Sequence, residues 1–134
     1  MKYLLGTDIC IYLIQNKPPS VIQRLQEVAN EEVAISTVTL FELQVGVENS
    51  QRREQASKAL SHFIGSIHHI LPVDEAAAAY AAKRRADLKR KKRPIGPYDV
   101  LIAAVALAND LILVSNNTSE FERVNGLSLE NWAT

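Results

Sequence analysis

GPYDVLIAAVALANDLILVSNN, residues 96–117, carries the pattern on which the fold turns. Gly96 and Pro97 punctuate the chain, and proline suits the first position of a helix, so a helix is expected from 97 to 109. A short apolar run of strand length follows from Leu111 to Ser115 and gives way to the polar turn at Asn116 and Asn117. Working outward, the same alternation recurs. Strands are expected at Lys2 to Leu5, Val33 to Ser36, His69 to Pro72 and Leu127 to Leu129, and helices at 9–15, 19–30, 38–50, 53–66 and 74–92. Asp74 precedes an alanine-rich stretch and reads as an N-cap. Alternation of this kind argues for an α/β fold, with βα units around a parallel sheet of about four to five strands.

The 134 residues fit a single domain spanning 1–134, large enough to bury a core. Fifteen basic and fifteen acidic residues cancel, which excludes a generic polyanion binder. The cations are unevenly spread, however. Eight of them lie between Lys83 and Arg93, with Asp87 the single acid in that stretch. Lys83, Arg84, Lys89, Arg90, Lys91 and Arg93 form either a solvated helix face or a local positive field for RNA. Cys10 is the only cysteine, so no internal disulfide exists, and its apolar neighbours predict a packed, inert thiol. With no signal peptide and no run of ~20 apolar residues, a soluble cytoplasmic protein without membrane contact is expected.

In open parallel sheets ligands settle beyond the carboxyl ends of the strands. Four acids fall there: Asp8 after the first strand, Glu42 one turn into the helix after the second, Asp99 in the first turn of the 97–109 helix, and Glu120 after the fourth strand. Each has an ordinary structural reading. Asp8 can cap a helix starting at Ile9, and Thr39 to Glu42 has the spacing of a capping box. Together they suggest more. Two carboxylates about 4 Å apart repel by ~4 kcal/mol at an effective dielectric of about 20, so a cluster calls for a cation. Oxygen donors suit Mg²⁺ or Mn²⁺, which keep several waters and need one or two carboxylates. The three histidines lack metal-type spacing, and no phosphate-binding loop or nucleophile elbow occurs. A phospho-receiver domain is disfavoured because no lysine follows Lys92.

KYLLGTDICIYLI, ISTVTLFELQVGVENS, KRPIGPYDVLIAAVAL and LVSNNTSEFERVNGLSLENW together resemble the VapC-type toxins of the PIN-domain ribonucleases, over nearly the whole chain. The resemblance implies a three-layer α/β/α sandwich and a Mg²⁺-dependent endoribonuclease site acting on tRNA. It also implies a homodimer and a VapB-type antitoxin partner, with operator DNA reached only through that antitoxin. Carried over by position, Glu42 and Asp99 match family acids, Asn117 and Glu120 fall in a more variable region, and Thr7 and Ser115 match polar residues that order the site.

The chain departs from this family at one place. Members read Leu-Asp-Thr-Asn where this chain reads Leu5-Gly6-Thr7-Asp8, so a metal-ligating aspartate is replaced by Gly6, which has no side chain. On an extended strand Asp8 points to the same side two residues on, displaced by up to ~7 Å. Three explanations stand: an engineered change, a natural loss of activity, or a relocation in which Asp8 inherits the role. A displacement of that size favours a weakened site. The alternative function is a catalytically inactive module that binds antitoxin.

Overall fold

The computed structural model describes residues Met1–Thr134. Five strands form one sheet: β1 (Tyr3–Leu5), β2 (Val33–Ser36), β3 (His69–Leu71), β4 (Ile112–Val114) and β5 (Leu129–Glu130). Their order is β3-β2-β1-β4-β5, and every pairing is parallel. Seven helices connect them: α1 (Thr7–Gln15), α2 (Pro19–Gln26), α3 (Thr37–Glu48), α4 (Arg53–Gly65), α5 (Glu75–Arg90), α6 (Pro97–Ala108) and α7 (Thr118–Phe121).

The sheet is buried on both faces, and the strand period of two sorts its side chains between them. Leu4, Ala34 and Leu113 face a core built with α5 and α6, where Ala77, Ala81, Ala103 and Ala104 are buried among Val100, Ile102 and Val105. Tyr3, Leu5, Val33, Ile35 and Val114 face the opposite core, with Ile9, Cys10, Val21, Leu43, Phe63 and Trp132. The result is the three-layer α/β/α arrangement expected of the family. Cys10 is free and fully buried, and burial pushes its thiol pKa up, in keeping with an inert role. No helix is long and apolar enough to cross a membrane.

Most boundaries fall within two or three residues of expectation. Asp74 caps α5 by accepting from the Ala77 N–H at 2.9 Å, and Pro97 opens α6 behind the Gly96 cap. Three differences matter. The second helix ends at Gln26 because a 3₁₀ turn at Asn30–Glu32 leads into β2, and the last strand begins at Leu129 rather than Leu127. The helix after β1 starts at Thr7 rather than Ile9, so Gly6 is its cap and Asp8 lies inside its first turn.

Strand order places the site. From β1 the chain runs outward through β2 to β3, then returns to lay β4 on the other side of β1. The carboxyl ends of β1 and β4 therefore flank the switch in direction, where a crevice opens in sheets of this class.

Candidate active site

At that crevice lies a cleft of about 250 Å³ lined by Gly6, Thr7, Asp8, Glu42, Asp99, Ser115 and Asn117, with Ile11, Ile102 and Phe121 as its apolar wall. Glu42 and Asp99, expected to face one another from distant segments, share it.

Three of the four acids are held by groups of the surrounding elements. The Thr7 hydroxyl donates to Glu42 Oε1 at 2.7 Å and stands 3.1 Å from Thr39 Oγ1. The Thr39 N–H in turn donates to Ser36 Oγ at 3.0 Å. Ser36 is thus the N-cap of α3, which displaces the capping-box reading of Thr39 to Glu42: Thr39 sits inside the helix, and the Glu42 carboxylate faces Thr7 rather than the backbone. Asn117 Nδ2 donates to Glu120 Oε2 at 2.7 Å. Ser115 Oγ accepts from the Asn117 N–H at 2.9 Å, and the same hydroxyl donates to Asp8 Oδ2 at 3.2 Å. Thr7, Ser115 and Asn117 thus each hydrogen-bond one of the acids.

Asp99 is held above the usual carboxylate range. Partial burial raises its pKa first, a hydrogen bond to Glu120 and that residue's charge add to the shift, and Glu42 and Asp8 contribute further, bringing it to about 7. The positive end of α6 offsets only part of this. Five ion pairs form in the chain, using Glu27, Glu130, Glu48, Glu54 and Asp87. None reaches Asp8, Glu42, Asp99 or Glu120. Four carboxylates thus share one region with no protein cation to balance them.

No three acids or histidines enclose a single point as a ready-made metal cage. Three of the carboxylates are turned toward neighbouring donors instead: Asp8 toward Ser115 and the Asn116 N–H, Glu42 toward Thr7, and Glu120 toward Asn117. The donor set nonetheless suits a hard divalent ion, which takes one or two carboxylates and fills its remaining positions with water.

The basic block occupies the last turns of α5 and the residues beyond. Its members are not equivalent. Arg84 Nε donates to the Asn125 carbonyl at 2.9 Å with its guanidinium over the Tyr80 ring, and Lys91 pairs with Asp87 at 3.3 Å, so both are already engaged within the protein. Lys83, Lys89, Arg90 and Arg93 are exposed. Arg85 and Lys89 line a groove of about 270 Å³ that continues to Pro97, two residues before Asp99.

The expectation of a ~7 Å offset at Gly6 is corrected by this geometry. Residues 6 and 8 are not on one strand, because β1 ends at Leu5 and the chain turns at once into α1. A Cβ placed on Gly6 would lie 3.1 Å from Asp8 Oδ1. The extended-strand geometry behind the ~7 Å figure is absent, and Asp8 Oδ1 lies beside position 6. Sequence reading also missed Ser36, Thr39 and the Asn116 N–H, which donates to Asp8 Oδ2 at 2.8 Å. Ser36 ending an apolar strand three residues before Thr39 was the available signal for the first two.

Comparison with known proteins decides the ancestry of this cleft. The PIN domain family model matches residues 3–127. The chain belongs to the PIN-domain family. Among PIN-domain proteins it is 44% identical over 133 residues to the tRNA(fMet)-specific endonuclease VapC of Shigella flexneri, covering 99% of each chain. Its fold superposes on VapBC from Salmonella typhimurium bound to DNA with a TM-score of 0.92 and 38% identity, covering 98% of both chains. It superposes on VapBC2 from Rickettsia felis, bound to a promoter DNA fragment, with a TM-score of 0.91 and 38% identity over 98% of this chain and 99% of that one.

Proposed function

We propose that this PIN-domain protein is a VapC-type toxin, an endoribonuclease that hydrolyses a phosphodiester bond of tRNA and is restrained by a VapB-type antitoxin. The observation that carries the reading is the cleft at the β1/β4 switch, where Asp8, Glu42 and Asp99 meet, with Glu120 beside Asp99, and no cation compensates them. Full-length similarity to tRNA(fMet) endonucleases supports the substrate, and superposition on VapBC assemblies supports the partner. Those assemblies also hold DNA, so operator contact through the antitoxin fits the same reading, as does a homodimer of the toxin.

Asp99, with Asp8, Glu42 and Glu120 around it, would hold Mg²⁺ or Mn²⁺. Bound there, the ion supplies an activated water and offsets charge at the phosphoryl oxygen. The chain's own residues do the rest. Thr7 and the Ser36–Thr39 pair fix Glu42, Ser115 fixes both Asp8 and the Asn117 turn, and Asn117 fixes Glu120. Ile11, Ile102 and Phe121 keep one wall of the cleft apolar, which strengthens the charge interactions inside it.

The direct test incubates the purified chain with initiator tRNA. Cleavage is expected with Mg²⁺ or Mn²⁺ and none with EDTA, and the VapB-type antitoxin encoded alongside should suppress it. An inactive binding module predicts antitoxin capture with no cleavage under any of these conditions, which would replace the nuclease reading.

Carboxylates alone repel a phosphodiester, so the groove from Lys89 toward Pro97 is assigned the task of drawing RNA in. Neutralising Lys89 and Arg90 should weaken tRNA binding and flatten its dependence on salt by about 0.7 log units per lost phosphate contact. Neutralising Lys91, already paired with Asp87, should change the slope less. A slope that stays constant in both variants makes the block a solvated face.

A further inference from the structure

Gly6 is not required by the backbone. Its φ of −69° and ψ of 165° are extended values that any residue adopts. What the glycine provides is space. A Cβ there would meet the Val114 carbonyl oxygen at 3.0 Å, Asp8 Oδ1 at 3.1 Å and Ser115 Cβ at 3.6 Å, so a neighbour would have to yield by a few tenths of an ångström. The Asp8 carboxylate folds back into the room that a side chain at position 6 would claim.

The way Asp8 is held leaves it able to do more than cap. Oδ2 accepts from the Asn116 N–H at 2.8 Å and from Ser115 Oγ at 3.2 Å. Oδ1 accepts from the Ile9 N–H at 2.9 Å, with Ser115 Oγ at a longer 3.4 Å. A carboxylate offers about four lone-pair sites, so Oδ1, the oxygen against Gly6, keeps acceptor capacity while Oδ2 is occupied. These donors fix the carboxylate's orientation as outer partners do for a ligand. Asp8 has no cationic partner, and it lines the same cleft as Asp99 and Glu42. It is the only acid that the β1–α1 corner supplies.

We propose that Asp8 is this chain's cation-binding acid at the β1–α1 corner, its carboxylate taking the room left by the absent side chain of Gly6, so that positions 6 and 8 have exchanged the task. This rests on the metal-nuclease reading of the cleft. It makes Gly6 and Asp8 a pair: a carboxylate is needed at one of the two positions, and in this chain the glycine at position 6 leaves room for the one at position 8.

Mn²⁺ binding to the purified full chain, measured by isothermal titration calorimetry, tests this without reference to activity. Asp8→Asn should bind Mn²⁺ roughly tenfold to a hundredfold more weakly than wild type. The exchange Gly6→Asp with Asp8→Asn should recover affinity to within a few-fold, although it gives up one of the carboxylate's contacts to Asn116 and Ser115. Circular dichroism establishes that each variant is folded. Wild-type affinity in folded Asp8→Asn overturns the proposal, and so does an exchanged variant no tighter than Asp8→Asn alone. Asp99→Asn separates the two levels of argument. If it loses Mn²⁺ while Asp8→Asn keeps it, the exchange is wrong and the metal site stands; if wild type itself binds no Mn²⁺, the metal reading falls and the exchange with it.

Discussion

Asp99→Asn is expected to cut the rate of tRNA cleavage by about 10²–10³ while making the metal-free protein more stable. A bound metal contributes several kcal/mol of charge stabilisation at a reacting phosphoryl group, and each 1.36 kcal/mol is a factor of ten in rate. Asparagine keeps the shape of the side chain and gives up the charge proposed to hold the ion. The same charge is a liability without metal. Asp99 stands in a part-buried position where Glu120, Glu42 and Asp8 all act against its ionisation. Removing it relieves that repulsion, so Asp99→Asn should melt above wild type in EDTA near pH 8 and gain little from added Mg²⁺, whereas wild type should gain. Paired thermal melts with and without Mg²⁺, alongside a cleavage assay, check both halves. A variant that loses activity and also melts lower in EDTA would mark Asp99 as a structural residue.

Opposed signs of this kind are what a site kept for function at the expense of stability would give, and the same crowding of acids bears on how much of the cleft the sequence makes legible. The strands were readable because each is a short apolar run bounded by turn residues, as at Val33–Ser36, which the structure reproduces residue for residue. The α5 and α6 starts were readable because Asp74 and Pro97 announce them locally. That Asp8, Glu42, Asp99 and Ser115 would share one cleft followed from their places after strands of a parallel sheet, and the structure brings them together. What failed depended on a side chain's direction within a turn. Asp8 was placed on a continuing strand because nothing in Gly6-Thr7-Asp8 marks where extension gives way to helix. Its carboxylate folds back only because the Asn116 N–H and Ser115 wait for it from a segment 107 and 108 residues away. The Ser36, Thr39, Thr7 and Glu42 chain was likewise hidden, since a local T-x-x-E spacing imitates a cap whose true residue lies three positions earlier. Local signals fix elements; contacts of high sequence separation fix where the acids point.

The second large effect is a dependence of metal affinity on pH, set by the same aspartate. Asp99 has a folded pKa of about 7 against an ordinary value of 3.8. Between those limits the metal-free folded chain carries a proton that the unfolded chain has released. Stability contributed by this group is therefore greatest at low pH and falls as pH rises from about 4 to about 7, so the EDTA-treated protein should melt higher near pH 5 than near pH 8. If Asp99 holds the cation as proposed, binding must expel that proton, because a carboxylate ligates in its ionised form. Apparent Mn²⁺ affinity should fall about tenfold for each pH unit below 7 and level off above it. Histidine side chains as a class titrate over the same range, so the informative quantity is the difference between wild type and Asp99→Asn. In that variant the slope of melting temperature with pH should shrink. Calorimetric titrations with Mn²⁺ at about pH 6, 7 and 8 measure the affinity directly, and proton release is checked by repeating them in buffers of different ionisation enthalpy. An affinity unchanged from pH 6 to 8, with no proton released, would mean that Asp99 is already ionised in the folded protein and that the crowding of acids around it is far weaker than the geometry implies.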